Sequence, residues 1–267
     1  MPSTDLNIAL LPLDIVEMDV AANLSAVERR IDLLPEQTDL VVLPEMFSTG
    51  FTTDPSILVR IAENTASSPT LDALRSIAAR KNVAIWGTMI ARTDDGLGFI
   101  NRGFMISPGA ATDFYDKRHT FSLGGESKAF ARGFQLSPIV EFRGWRLKMS
   151  ICYDIRFPVW NRSRANDYDA LIAPANWVNS RYYAWRHMLI ARAIENQAYV
   201  AGCNREGSDL YGSYQRGDSL ILDFNGHEIG TLSTDGTISA TLQGGLLDTA
   251  RARFAPWRDA DSFTLNI

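Results

Sequence analysis

Three residues of the types that carry acyl-transfer chemistry stand just behind apolar runs. Cys152 lies in Lys148-Met-Ser-Ile-Cys-Tyr-Asp-Ile-Arg-Phe-Pro158, where a buried strand ends and a turn leads toward a helix expected from Pro158. Such a corner exposes a side chain at a sheet edge with backbone N–H groups pointing at it, and a nearby helix N-terminus favours the thiolate. Glu45 closes Asp39-Leu-Val-Val-Leu-Pro-Glu45; a carboxylate directly after a buried strand is partly desolvated, which suits a general base. Lys117, in Phe114-Tyr-Asp-Lys-Arg-His-Thr-Phe121, follows another strand. An ammonium there can stabilise the negative oxygen of a tetrahedral intermediate. Each residue also has an ordinary reading. Cys152 can be a small buried hydrophobe, Glu45 an N-cap or surface residue of the loop from Met46 to Phe51, and Lys117 one of three charges in a solvated loop. Together, a thiol, a base and a cation, each behind a strand, describe covalent catalysis at a carbonyl.

The elements that must position them alternate between short apolar runs and amphipathic segments. Strands are expected over Asn7–Leu13, Asp39–Leu43, Val83–Ile90, Gly103–Ile106 and Thr112–Tyr115. Further strands are expected over Arg146–Ile151, Ala170–Pro174, Tyr199–Cys203, Ser219–Asp223, Glu228–Leu232 and Ile238–Leu242. The period of 3.6 predicts a helix over Asp19–Leu34, with Val20, Leu24, Val27, Ile31 and Leu34 on one face. A second helix runs from Pro69 to Asn82, a third over Tyr183–Asn196, and a last begins near Gly245. No linker, repeat or low-complexity stretch interrupts this pattern, so residues 1–267 read as one α/β domain with sheets inside and helices outside.

The composition, 46% hydrophobic and 21% charged, is that of a chain with a sizeable buried core. A net charge of −5 without a basic run argues against a nucleic-acid or anionic-membrane partner. No stretch approaches the roughly 18 apolar residues of a membrane span. The start, Met-Pro-Ser-Thr-Asp, lacks the basic and apolar regions of a signal peptide. Two cysteines, Cys152 and Cys203, do not make a disulfide scaffold, and a cytoplasmic location is expected.

The order and wording of the motifs resemble the nitrilase superfamily of carbon-nitrogen hydrolases. The matching pieces are Leu43-Pro-Glu45, Tyr115-Asp-Lys117-Arg-His119 and Ile151-Cys-Tyr-Asp-Ile-Arg-Phe-Pro158, about 70 and about 35 residues apart. The likeness continues through Ala175-Asn-Trp177, Arg192-Ala-Ile-Glu-Asn196 and Asn225-Gly226 and covers nearly the whole chain. It implies a four-layer α-β-β-α sandwich and a Glu45–Lys117–Cys152 triad forming a thioester. It also implies an oxyanion site that includes the backbone N–H of Tyr153, and no metal or cofactor. A second glutamate that positions the lysine and the substrate is matched by Glu126. The family is usually dimeric, which would place the helix after Pro158, the helix around Tyr183–Asn196 and the C-terminal tail at a homodimer interface.

Within the superfamily, Pro44-Glu-Met-Phe-Ser-Thr-Gly-Phe51 and the stretch from Asp154 to Arg186 are similar to the ω-amidases, which hydrolyse 2-oxoglutaramate. Such an enzyme must hold a carboxylate at the far end of a small amide substrate, a task suited to the planar fork of arginine. Arg156 and Arg181 are the candidates, with Phe47, Phe121 and Trp177 as candidate pocket walls. Deaminated glutathione and N-carbamoyl compounds are the alternative substrates, and an inactive binding or scaffold subunit is the non-enzymatic alternative. Gly217-Asp-Ser-Leu220 spells a serine-esterase motif but stands too late in the chain and reads as a loop entering a strand. His119, His187 and His227 lack metal-ligand spacing, and Gly96 and Gly98 lack a dinucleotide-site setting. Cys203 reads as core.

Overall fold

The computed structural model describes residue 2 and residues 4–266. The first half contains β1 (Leu6–Leu10), α1 (Val20–Asp32), β2 (Leu40–Val42), α2 (Pro55–Ile61), α3 (Pro69–Lys81), β3 (Ala84–Arg92), β4 (Phe99–Ile106), β5 (Asp113–Asp116) and α4 (Glu126–Ala129). Then follow β6 (Ile139–Phe142), β7 (Trp145–Met149), α5 (Pro158–Asn161), β8 (Ala170–Ala175), α6 (Tyr182–Asn196) and β9 (Tyr199–Asn204). The chain ends with β10 (Gly207–Asp209), β11 (Gly212–Tyr214), β12 (Leu220–Leu222), β13 (Thr231–Leu232), β14 (Ile238–Leu242) and α7 (Gly244–Arg253).

The strands form a seven-stranded sheet in the order β13-β14-β1-β2-β3-β4-β5 and a five-stranded sheet in the order β12-β9-β8-β7-β6. The period of two in the sequence sorts the side chains between layers. Ile8, Leu10, Leu40, Val42, Ala84 and Trp86 face the other sheet and meet Trp145, Leu147 and Met149. Their neighbours Ala9, Leu11, Val41, Leu43 and Ile85 face outward and meet Val27 and Ile31 of α1 and Leu71, Leu74 and Ile77 of α3. On the second sheet's outer side α6 packs through Trp185 and Leu189. The result is the expected α-β-β-α sandwich.

Each sheet has a parallel core, β1-β2-β3 in the first and β7-β8-β9 in the second. Two antiparallel turns make β5 run with β3. The carboxyl ends of β2, β5, β7 and β8 can therefore meet at one edge, together with the start of β4.

Local chemistry explains the boundaries. The Asp19 side chain caps α1 by accepting from the Ala22 N–H, and Ser68 caps α3 before Pro69 by accepting from the Leu71 N–H. Asn82 ends α3 in the left-handed region, at φ 51°. The strand expected over Asn7–Leu13 stops at Leu10, because Pro12 has no N–H to continue a ladder. The helix expected after Pro158 is a single turn. The strand expected over Glu228–Leu232 keeps only its last two residues. Gly217-Asp-Ser-Leu220 is a short turn entering β12, as expected. Helix α2, strand β6 and the β10–β11 hairpin have no counterpart among the expected elements. Among the described residues no helix is long and apolar enough to cross a membrane.

Candidate active site

Glu45, Lys117 and Cys152 meet at the edge where the strands end. Beyond Pro44, Glu45 is buried, and its Oε1 accepts from Lys117 Nζ at 2.8 Å and from Asn101 Nδ2 at 2.7 Å. Its Oε2 accepts from the backbone N–H of Asn176 at 2.9 Å, just past β8. The Asn176 side chain closes the loop by donating to the Glu45 carbonyl oxygen at 2.9 Å. The solvated-loop reading of Lys117 fails, since its side chain is only 2% exposed. Its ammonium also donates to both oxygens of the wholly buried Glu126, at 2.9 Å each. Glu126 is fixed in turn by the Phe121 N–H, at 2.6 Å.

Two carboxylates around one ammonium set the electrostatics. Burial alone would lower the proton affinity of Lys117, but the charges of Glu126 and Glu45 outweigh it and hold the group well above the ordinary lysine value. Burial pushes the Glu126 carboxyl up, reinforced by the charge of Glu45 and opposed by Lys117.

Cys152 sits at the first residue of a short 3-10 turn, with φ of +44°. This left-handed conformation is strained for a residue with a side chain. Asp154 holds the turn in place. Its carboxylate accepts from the Ile151 N–H at 3.2 Å, Tyr115 Oη at 2.8 Å and the His119 N–H at 2.9 Å, and contacts His119 Nδ1 at 2.7 Å. The turn at Cys152 is thus tied to the loop that carries Lys117. The expected thiolate-favouring field is not found. Burial pushes the Cys152 thiol well above its ordinary value, and the Glu45 charge adds to this, against Lys117 and the Asn176 N–H. With only one helical turn at Pro158, the macrodipole there is small. A neutral thiol beside a carboxylate needs that carboxylate as its base.

A cavity of about 560 Å³, measured to its open mouth, leads to these groups. Tyr153, Arg156, Arg181, Phe121 and Trp177 line it, as do the three charged residues and Cys152. The Arg156 guanidinium lies 5.0 Å from the Trp177 ring centre, and that of Arg181 lies 5.2 Å from that of Phe121. Phe47 does not line the pocket. The chain turns at Met46, at φ +48°, so Glu45 and Phe47 leave it on opposite sides. Phe47 packs against Phe104 in the helix-side core, with ring centres 6.2 Å apart.

Sequence reasoning missed Asn101, Asn176, Phe51, Tyr211 and Tyr214. Asn176 follows β8 as Glu45 follows β2, a signal that was legible. Tyr211 and Tyr214 come from the hairpin, whose Asp209-Leu-Tyr-Gly212 turn was also legible. Asn101 left no signal, because an asparagine inside a strand reads as a turn residue.

A thiol, a base and a cation at the floor of a pocket match the chemistry of one enzyme class. The sequence model of that class, described as carbon-nitrogen hydrolase, matches residues 7–252. The chain belongs to this family, the nitrilase superfamily, and is an amidase of the cysteine type. It is 40% identical over 262 residues to the Omega-amidase YafV of Escherichia coli (strain K12), covering 97% of this chain and 98% of that one. It is 31% identical to the 2-oxoglutaramate amidase of Bacillus subtilis (strain 168), over 81% of this chain and 82% of that one. The crystal structure of XC1258 from Xanthomonas campestris, a CN-hydrolase superfamily protein with an arsenic adduct in its active site, superposes with a TM-score of 0.91. The two chains are 37% identical, and the match covers 98% of this chain and 99% of that one.

Proposed function

We propose that the protein hydrolyses the terminal amide of a 2-oxo dicarboxylic acid ω-amide, such as 2-oxoglutaramate or 2-oxosuccinamate, to the acid and ammonia. The observation that carries this reading is the pair Arg156 and Arg181. Both guanidiniums line the thiol's pocket, and both stack on aromatic rings rather than pairing with a carboxylate among the described residues. A substrate carboxylate would supply the missing partner. The similarity to an ω-amidase and to a 2-oxoglutaramate amidase supports the same substrate class.

In this mechanism Glu45 takes the thiol proton as Cys152 Sγ bonds to the amide carbon. The oxyanion is held by Lys117 and by the Tyr153 N–H, which has no backbone acceptor among the described residues. Glu45 returns the proton to the leaving nitrogen, the C–N bond breaks, and ammonia departs from a thioester on Cys152. Water, losing a proton to Glu45, then attacks the thioester. The acid leaves and the thiol is restored. Glu126 keeps Lys117 oriented throughout. Both cysteines are free, which a reducing cytoplasm preserves. We also propose a homodimer through the outer face of α5 and α6, where Val159, Tyr183 and Ile194 are exposed.

Ammonia release from 2-oxoglutaramate, deaminated glutathione and an N-carbamoyl amino acid tests the substrate. Turnover of 2-oxoglutaramate is expected in the wild type and none in Cys152→Ala. Arg156→Lys or Arg181→Lys should raise KM for that substrate. Preferential turnover of another compound would overturn the substrate and leave the mechanism.

A further inference from the structure

Asn101 stands near the start of β4, wholly buried among charged groups to which the motifs above give it no relation. Its Nδ2 donates to Glu45 Oε1 at 2.7 Å and, at a longer 3.4 Å, reaches Glu126 Oε1. Its backbone carbonyl oxygen accepts the N–H of Lys117 at 3.0 Å. One strand residue therefore touches the base, the cation and the second glutamate. Its own Oδ1 is buried and meets no donor among the described residues. An unmet buried acceptor is unfavourable, and an apolar side chain of similar size would fill the space without it. Packing does not explain an amide here; its N–H groups do.

The two oxygens of Glu45 are not equivalent. Oε1 accepts from both Lys117 and Asn101, whereas Oε2 accepts from one donor of the surrounding frame among the described residues, the Asn176 N–H. The Asn176 N–H and the Glu45 carboxylate both act on the Cys152 thiol, and Oε2 is the oxygen that accepts from that N–H. We propose that Asn101 is a positioning residue for the catalytic base, holding Glu45 Oε1 so that Oε2 alone carries the proton to and from Cys152 and the leaving group. Lys117 cannot do this by itself, because its ammonium is shared with Glu126 and would pull Glu45 toward the second carboxylate. Asn101, anchored in a strand rather than a loop, fixes the carboxylate plane against that pull.

This inference rests on Glu45 acting as the base and on no particular substrate. The test uses Asn101→Leu, which keeps the branching at Cγ and removes both donors, and Asn101→Asp, which keeps the shape. Three readouts are taken: kcat and KM on an ω-amide, the rate of Cys152 alkylation by iodoacetamide mapped by mass, and the thermal midpoint. Asn101→Leu is expected to lower kcat about 10²-fold, the size of effect that a 1 Å misplacement produces. Alkylation should fall with kcat, while KM and the thermal midpoint stay near wild type. In Asn101→Asp the defect should shrink as pH falls. Once protonated, the carboxyl group of that variant faces Glu45, Lys117 and Glu126 with a donor regained, a recovery that a merely space-filling residue would not show. Wild-type kcat and alkylation in both folded variants would overturn the proposal, as would a loss that only tracks unfolding. Alkylation needs no substrate. A wild type that ignores the ω-amide, with alkylation that still falls in Asn101→Leu, would therefore overturn the substrate and uphold the role of Asn101.

Discussion

Cys152 carries a thiol that burial holds in its protonated form, and this has a kinetic signature. Its folded value lies above that of a free thiol, so at neutral pH very little thiolate exists unless Glu45 takes the proton during attack. Glu45→Gln is therefore expected to lower kcat by about 10²–10⁴-fold, the usual loss for a general base. Its Cys152 alkylation should stay slow at neutral pH and rise only above the ordinary thiol range. Fast neutral-pH alkylation of Glu45→Gln would mean that Lys117 alone sustains a thiolate. At this scale the sequence is informative about identity: Glu45, Lys117, Glu126 and Cys152 stand out by their motifs and are the residues that converge. It is less informative about direction. Phe47, two residues from Glu45, is expected in the pocket wall, yet a left-handed residue between them sends its ring into the core.

The β10–β11 hairpin contributes Tyr211 and Tyr214 to the pocket wall. Its turn is closed by Asp209, whose Oδ1 accepts from the N–H groups of Tyr211 and Gly212, at 2.8 and 3.2 Å. The other oxygen accepts from Arg205 at 3.0 Å and Tyr214 Oη at 2.8 Å, in an ion pair wholly shielded from solvent. Beside this pair, Tyr211 sets its ring edge-on to Phe51 with centres 5.2 Å apart. Phe51 follows β2 of the first sheet and Tyr211 belongs to the hairpin after the second, so together they wall the pocket across the sandwich. Tyr211→Ala is expected to shift the ratio of kcat/KM toward ω-amides with longer acyl chains, by roughly tenfold per methylene admitted. An unchanged ratio across a chain-length series would remove the hairpin from substrate selection. Sequence periodicity does not reveal this element, because three-residue strands are too short for a repeat to declare itself.

For the whole molecule, the outer face over α5 and α6 leaves Tyr183 77%, Ile194 52% and Val159 51% exposed. Large apolar side chains left exposed on these two helices are candidates for burial in an association surface. Sedimentation at micromolar concentration is expected to give the mass of two chains, and Tyr183→Asp the mass of one. A wild type that sediments as a single chain would sink the dimer.

What the sequence by itself determined was local. Short apolar runs mark β1, β2 and β3 as buried strands, because a run of apolar residues signals burial without reference to distant partners, while the fold alone decides which of their side chains face the partner sheet and which face α1 and α3. Caps and prolines place the ends of α1 and α3, since those signals act within one turn. Only the tertiary structure decided what depends on segments far apart in the chain. The second antiparallel turn at β5 brings Lys117 to the edge where β2 and β7 deliver Glu45 and Cys152. Burial there keeps the thiol protonated, whereas a reading of the isolated corner predicts a thiolate. Asn101 gains its place from the same convergence: its partners Glu45 and Glu126 lie on different segments, and only a folded sheet edge brings both to one amide.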